Sequence, residues 1–155
     1  MDSNQRMAAL HEALANRTLP PGITVRFWTE GDFGAIQALS RQARWLTPNQ
    51  RPVAALQAWR ESYPALVATD GAVVIGFLRA LSDGAVTTYI AEVLIAPTYQ
   101  RRGIATILLD ACHDLCPATR LDLLSTEAAD QFYAARGFRP FRGFRRSAAE
   151  CSTGE

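Results

Sequence analysis

The chain has no lysine: all sixteen of its basic residues are arginine. A Walker-type G-x-x-x-x-G-K-[ST] loop therefore cannot be built, because that site needs a lysine ammonium on the phosphates. No G-x-G-x-x-G run follows a strand, which removes the usual dinucleotide fingerprint. Cysteine is scarce, and Cys112, Cys116 and Cys151 form no CxxC pair. An odd count at that spacing argues against a disulfide framework and against a zinc site. His11 and His113 are the only histidines, too few and too scattered for a metal centre, so no metal is expected. Charge of either sign is not in excess. The net charge is +1, which gives no reason to expect a nucleic-acid partner. No apolar run nears the roughly 18 residues that span a bilayer. The first residues lack the basic, apolar and small-residue order of a secretion signal. A cytoplasmic protein with no membrane partner is expected.

What is present suits one soluble domain. The 155 residues are 48% hydrophobic and 20% charged, enough apolar material for one core. Residues 1–21 read as a helical extension, with Met7, Leu10 and Leu14 at helical spacing before Pro20-Pro21-Gly22. Residues 22–146 read as the main domain and 147–155 as a flexible tail. Ile23, Val25 and Phe27 alternate with polar residues, as in a half-buried strand. Asp32 is placed to cap a helix whose apolar face is Phe33, Ile36, Leu39 and Ala43. A second helix starts between Thr47 and Pro52 and buries Val53, Leu56 and Trp59. Strands at 65–69, 73–81 and 86–95 are joined by turns at Asp70-Gly71 and Ser82-Asp83-Gly84.

A helix over 102–116 carries Ile104, Ile107, Leu108, Ala111, Cys112 and Leu115 on one face, and Pro117 ends it. A strand follows at 121–124, then a helix capped by Ser125 or Thr126 that stops before Gly137. A last strand is expected over 138–146, held to an edge by Pro140 and Gly143. Its Phe–Arg pairs read as core aromatics beside a solvated Arg edge. The order βααβββαβαβ makes an α/β fold: a mixed sheet with helices on both faces, plus the N-terminal helix.

Residues 92–106, Glu92-Val93-Leu94-Ile95-Ala96-Pro97-Thr98-Tyr99-Gln100-Arg101-Arg102-Gly103-Ile104-Ala105-Thr106, carry the functional signal. They read as an apolar strand, a short loop and a Gln-x-x-Gly-x-Ala turn that opens into a helix. A helix start leaves backbone N–H groups unpaired and holds the positive end of the helix dipole. Gly103 and Ala105 keep little side chain there, so phosphates can approach the amides, and Arg101 and Arg102 add charge at the rim. This is an anion cradle.

The stretch resembles motif A of the GNAT acetyltransferase superfamily, in which a Gln/Arg-x-x-Gly-x-Gly/Ala turn binds the pyrophosphate of acetyl-CoA. Ala105 stands where Gly is commoner in that family. Asp130-Gln131-Phe132-Tyr133-Ala134-Ala135-Arg136-Gly137-Phe138 resembles its motif B, with the core Phe-Tyr-x-x-x-Gly-Phe. The likeness covers residues 22–146 in layout and is specific across 92–138. It implies a GNAT-like fold, mostly antiparallel, whose strands 86–95 and 121–124 splay apart to admit the cofactor arm. It also implies that acetyl-CoA is held by Val93, Leu94 and Ile95 through their backbone, and by Gln100, Arg101, Arg102, Gly103, Ile104, Ala105 and Thr106 at the turn.

Moving an acetyl group from a thioester to an amine needs a neutral amine, a polarised carbonyl and a protonated leaving thiolate. Deprotonating an alkylamine costs about 4–5 kcal/mol at pH 7; an arylamine has no such cost and needs no base. By the resemblance, Tyr133 is the general acid, the alternative being an aromatic packed beside Phe132. Glu92 is a base, or else a partner for an arginine such as Arg79. Tyr89 is a weaker candidate for the base. Trp45 shapes the acceptor pocket or packs in the core. Cys112 belongs to the apolar helix face and, like Cys116, reads as packing rather than nucleophile.

The expected reaction is direct acetyl transfer from acetyl-CoA to a primary amine, a small molecule rather than a protein, by a monomer or homodimer. The rival readings are a non-catalytic acyl-CoA sensor and a transferase for another acyl-CoA.

Overall fold

The computed structural model describes residues 1–147. Cys151 and, but for Ser147, the expected tail lie outside the described residues. The chain divides into two compact units, Met1–Leu123 and Leu124–Glu155. The first holds helix α1 (Ser3–Ala15), strand β1 (Ile23–Phe27), a 3-10 turn (Glu30–Asp32) and helices α2 (Phe33–Gln42), α3 (Thr47–Gln50) and α4 (Pro52–Arg60). Strands β2 (Ala65–Asp70), β3 (Val73–Ser82) and β4 (Thr87–Ile95) follow, then a 3-10 turn (Pro97–Tyr99), helix α5 (Ile104–Leu115) and strand β5 (Arg120–Leu123). The sheet runs β1-β2-β3-β4-β5. Its first three pairings are antiparallel and β4–β5 is parallel. This is the mixed, mostly antiparallel sheet flanked by helices that the sequence predicts, with its extra N-terminal helix.

The two prolines that blurred the second helix divide it. Proline suits a first helical turn, where its missing N–H costs nothing, and it pushes the preceding residue out of the helical region. Pro48 and Pro52 each open a helix, and Arg51 between them sits at φ −131°, ψ 61°. Asp32 departs from its expected role, since it makes no side-chain cap on α2. Its carboxylate instead accepts two bonds from the Arg26 guanidinium, each 2.8 Å, and one from the Thr29 N–H at 2.7 Å.

Each sheet face is covered. Residues directly opposite on paired strands share a face, and neighbours along a strand alternate. On one face Ala65, Val67, Val74 and Phe77 pack with Ile36 of α2 and Trp59 of α4, and Leu39, Trp45 and Leu94 lie against this cluster. Trp59 is 1% exposed and meets the buried Phe77 ring edge-on at 5.4 Å. Burying one such ring is worth about 1.5–3 kcal/mol. Against the other face lies α5, with Ile104, Leu108, Ala111, Cys112 and Leu115 buried. Ile107 is only half-buried and Leu109 is buried in its place. Here α1 packs on α5, and Arg17 reaches Asp114 at 2.7 Å.

Two bulges reset the alternation. In the second, Arg79 pairs with Glu92 and Ala80 with Ile90, so Ala91 has no opposite residue. Ile90 and Glu92 would share a face in a regular strand. The bulge turns Glu92 toward the face of α2 and α4.

In the second unit a 3-10 turn (Glu127–Ala129) leads into α6 (Asp130–Ala134), shorter than the helix expected, and Gly137 follows at φ +82°. The expected strand over 138–146 is not formed, and residues 138–147 carry no regular structure. Phe138, Phe141 and Phe144 recur at every third residue, whereas a strand needs every second. Pro140 also lacks the N–H a ladder requires. Phe141 and Phe144 are 78% and 89% exposed, not core aromatics.

Candidate active site

The pairing of β4 with β5 stops at Ile90 opposite Leu123. Residues 92–95 of β4 pair with β3 alone among the described residues. β5 itself ends at Leu123, so beyond Ile90 this edge of β4 has no paired strand among the described residues. Over five residues the open edge is about 16 Å long, and along such an edge alternate residues aim N–H and C=O outward. Val93 and Leu94 are half-buried and Ile95 is buried.

Gly76 sets the position of that strand end. A Cβ at residue 76 would lie 2.6 Å from Ile95 Cδ1 and 2.9 Å from the Leu94 carbonyl oxygen. A glycine inside an apolar strand signals such a close approach, and this signal was missed. Beyond Ile95, Gln100 Nε2 donates to the Ile95 carbonyl at 3.0 Å, which ties the turn back to the strand.

The turn is an open concavity. Arg101 sits at φ +61° and Gly103 at φ +80°, both left-handed, with Arg102 between them. Left-handed residues in such a turn can aim successive N–H groups to one side, the arrangement of an anion-binding nest. Left-handed backbone costs a non-glycine residue about 1–2 kcal/mol, so Arg101 is held there against its preference. No side chain caps α5, and a Cβ on Gly103 would meet no protein atom within 4 Å. Ile104 is buried, leaving only its N–H to serve; Ala105 and Thr106 are half-buried.

Arg101 and Arg102 are exposed at the rim. The Arg102 guanidinium lies 5.1 Å from the Tyr99 ring centroid, and Tyr99 Oη donates to Asp70 at 2.6 Å. The bond to Asp70 raises the Tyr99 phenol above its usual pKa. From residue 93 to 109 there is no carboxylate to oppose this charge. Beside the turn, a cleft of about 110 Å³ is lined by Leu39 and Gln42 of α2, by Ala43 just after it, and by Leu94, Pro97 and Gln100. Sequence periodicity gave no sign of α2's part in it.

Glu92 lies on the α2–α4 face, where Arg79 Nε donates to its Oε2 at 2.6 Å. Arg79 Nη1 donates in turn to Ser62 Oγ at 3.1 Å. Trp45 is half-buried and meets Phe77 edge-on at 6.3 Å, on the same face as Leu94. In the second unit, Tyr133 of α6 packs edge-to-face on Phe132 at 5.1 Å and on Phe138 at 5.5 Å. Burial raises its phenol above the ordinary tyrosine pKa, so it keeps its proton at neutral pH. Cys112 is buried, and burial first, then Cys116, pushes its thiol up to about 12.

Among the described residues no helix is long and apolar enough to cross a membrane. A search of curated protein sequences gave no match. Solved structures do match. A GNAT-family acetyltransferase from Streptococcus pneumoniae is 22% identical, with a TM-score of 0.68 over 83% of this chain and 98% of that one. A GNAT-family protein from Xanthomonas campestris is 24% identical, with a TM-score of 0.67 over 86% and 99%. An aminoglycoside N-acetyltransferase solved with CoA is 18% identical, with a TM-score of 0.63 over 86% and 100%. These identities establish the fold alone. The model of the GNAT acetyltransferase family matches residues 32–138, more than half of the chain, and the protein therefore belongs to the GNAT family of acetyltransferases.

Proposed function

We propose that the protein moves the acetyl group of acetyl-CoA directly to the primary amine of a small molecule. The observation that carries this reading is the uncapped start of α5 beside the open edge of β4. The nest at residues 100–106 takes the pyrophosphate. Extended amide-bearing arms pair with open strand edges as another strand would, and residues 93–95 offer such an edge to the pantetheine. The solved aminoglycoside N-acetyltransferase complex contains CoA, in keeping with that cosubstrate.

The amine nitrogen attacks the thioester carbonyl, whose oxygen is polarised by a backbone N–H of the open edge. The C–N bond forms and the C–S bond breaks. Tyr133 passes its phenol proton to the departing sulfur, and Glu92 takes the proton the amine gives up. A phenol kept protonated by burial suits the acid. A thiol raised to about 12 does not suit a nucleophile, which favours transfer without an acetyl-enzyme. Trp45 bounds the acceptor pocket from the α2–α4 face.

In an assay of CoA release with a panel of small amines, Tyr133→Phe should lower kcat by about 100-fold or more, the usual scale of general-acid loss. Its acetyl-CoA affinity should match wild type. Equal turnover in the two proteins removes Tyr133 from the chemistry, and an acetyl adduct by intact-mass spectrometry removes direct transfer.

A further inference from the structure

We infer that Arg79, itself fixed by Ser62, is a positioning residue that holds the Glu92 carboxylate for the incoming amine. The inference rests on the reading of Glu92 as the base.

The extra residue Ala91 re-aims Glu92. In an unbroken strand Glu92 would share the face of Ile90, which is 3% exposed against the α5 side. Bulges are a recurrent means of redirecting a side chain beside a site. Turned to the other face, Glu92 meets Arg79 directly across the strands.

A chain of bonds then fixes it. Ser62 Oγ donates to the Ala58 carbonyl at the end of α4 at 2.6 Å and accepts from Arg79 Nη1 at 3.1 Å. Arg79 Nε donates to Glu92 Oε2 at 2.6 Å. Glu92 Oε1 makes no hydrogen bond to a described residue. One oxygen is held and the other is left to accept a proton.

This pair is more sheltered than two others in the structure. Arg60–Glu30 and Arg120–Asp122 are 45–67% exposed on every side chain. Arg79 and Glu92 are 15% and 19% exposed. An exposed pair leaves both long side chains free to wander. A half-buried pair with a third residue behind it confines the carboxylate to one rotamer, which is what a base needs.

The test compares two acceptors, benzylamine, which must lose a proton to react, and aniline, which is already neutral. Arg79→Met should lower kcat for benzylamine by about 10–100-fold, the range typical of orienting partners. KM should hold and kcat for aniline should change little. Arg79→Lys, which keeps a donor, should recover part of the loss, and Ser62→Ala should show a smaller loss of the same selectivity. An equal fall for both amines, or no fall for benzylamine, overturns the proposal.

Glu92→Gln separates the two claims. If it leaves the benzylamine-to-aniline ratio unchanged, Glu92 is not the base. If it changes the ratio and Arg79→Met does not, only the positioning role fails. A readout free of turnover is the Arg79 Nε–H resonance by NMR. It should be sharp and slow to exchange in wild type and in Ser62→Ala weaker, and absent as a protected signal in Glu92→Gln. No protected signal in wild type contradicts the arrangement whatever the amines do.

Discussion

Helices α1 and α5 belong to the same unit and pack on each other, yet they begin in opposite ways. At α1, Asp2 accepts from the Gln5 N–H at 2.8 Å and Gln5 Oε1 accepts from the Asp2 N–H at 2.9 Å. That helix closes its start with its own side chains. At α5 no side chain caps the start, Gly103 is left-handed, and two arginines stand at the rim. A capped start is satisfied without a ligand. An uncapped one keeps its N–H groups and its positive dipole end for something outside the chain. The start of α2 also has no side-chain cap, but there the 3-10 turn Glu30–Asp32 runs straight into the helix, and Asp32 is engaged by the Thr29 N–H and the Arg26 guanidinium. Under the proposed function, the contrast marks the helix start that a ligand rather than a side chain would complete.

The sharpest way to break it is to close the open start. Gly103→Asp puts a carboxylate in the nest, at a left-handed position that Asp tolerates better than most residues. Acetyl-CoA binding should fall beyond detection by calorimetry while the melting temperature stays near wild type. Gly76→Ala disturbs the strand end behind the nest. Its Cβ would meet Ile95 and the Leu94 carbonyl, so a loss of about 1–3 kcal/mol in urea unfolding is expected, with weaker acetyl-CoA binding. Asp2→Ala acts on the closed start. It should cost about 1 kcal/mol and leave acetyl-CoA binding untouched.

The smallest effect concerns pH. The Arg26 hydrogen bond holds the Asp32 carboxyl below the usual aspartate range, against the opposing effect of burial. A depressed pKa stabilises the fold above the unfolded value, near ~4, and this contribution is lost as pH falls through the folded value. Asp32→Asn should therefore melt earlier than wild type at pH 7, with the difference shrinking on acidification below about pH 4.

The legible parts were those fixed by local chemistry. Gly103 and a long amphipathic helix leave plain marks on a sequence, and α5 stands where it was expected, with an uncapped start at Gly103. The strand order followed from hairpin signals at Asp70-Gly71 and Ser82-Asp83-Gly84. What was not legible depends on distant partners. Ala91 gives no sign that it is the bulged residue, so the face of Glu92 could not be read from parity. The cleft depends on α2 crossing the end of β4. The strand expected over 138–146 does not form, and the interval of its Phe residues, with Pro140, already ran against it. Gly76 was a readable sign of close approach inside an apolar strand and was passed over.

The most direct test is the thermal shift of the purified protein with acetyl-CoA, using ATP and NAD as controls. Ligand at a hundred times its dissociation constant adds about 2.7 kcal/mol, which for a domain of this size raises the midpoint by roughly 5–10 °C. The open start of α5 predicts that rise in wild type with acetyl-CoA, its loss in Gly103→Asp, and little with either control. A cooperative melt that acetyl-CoA does not move, or that ATP and NAD move as far, would contradict the account.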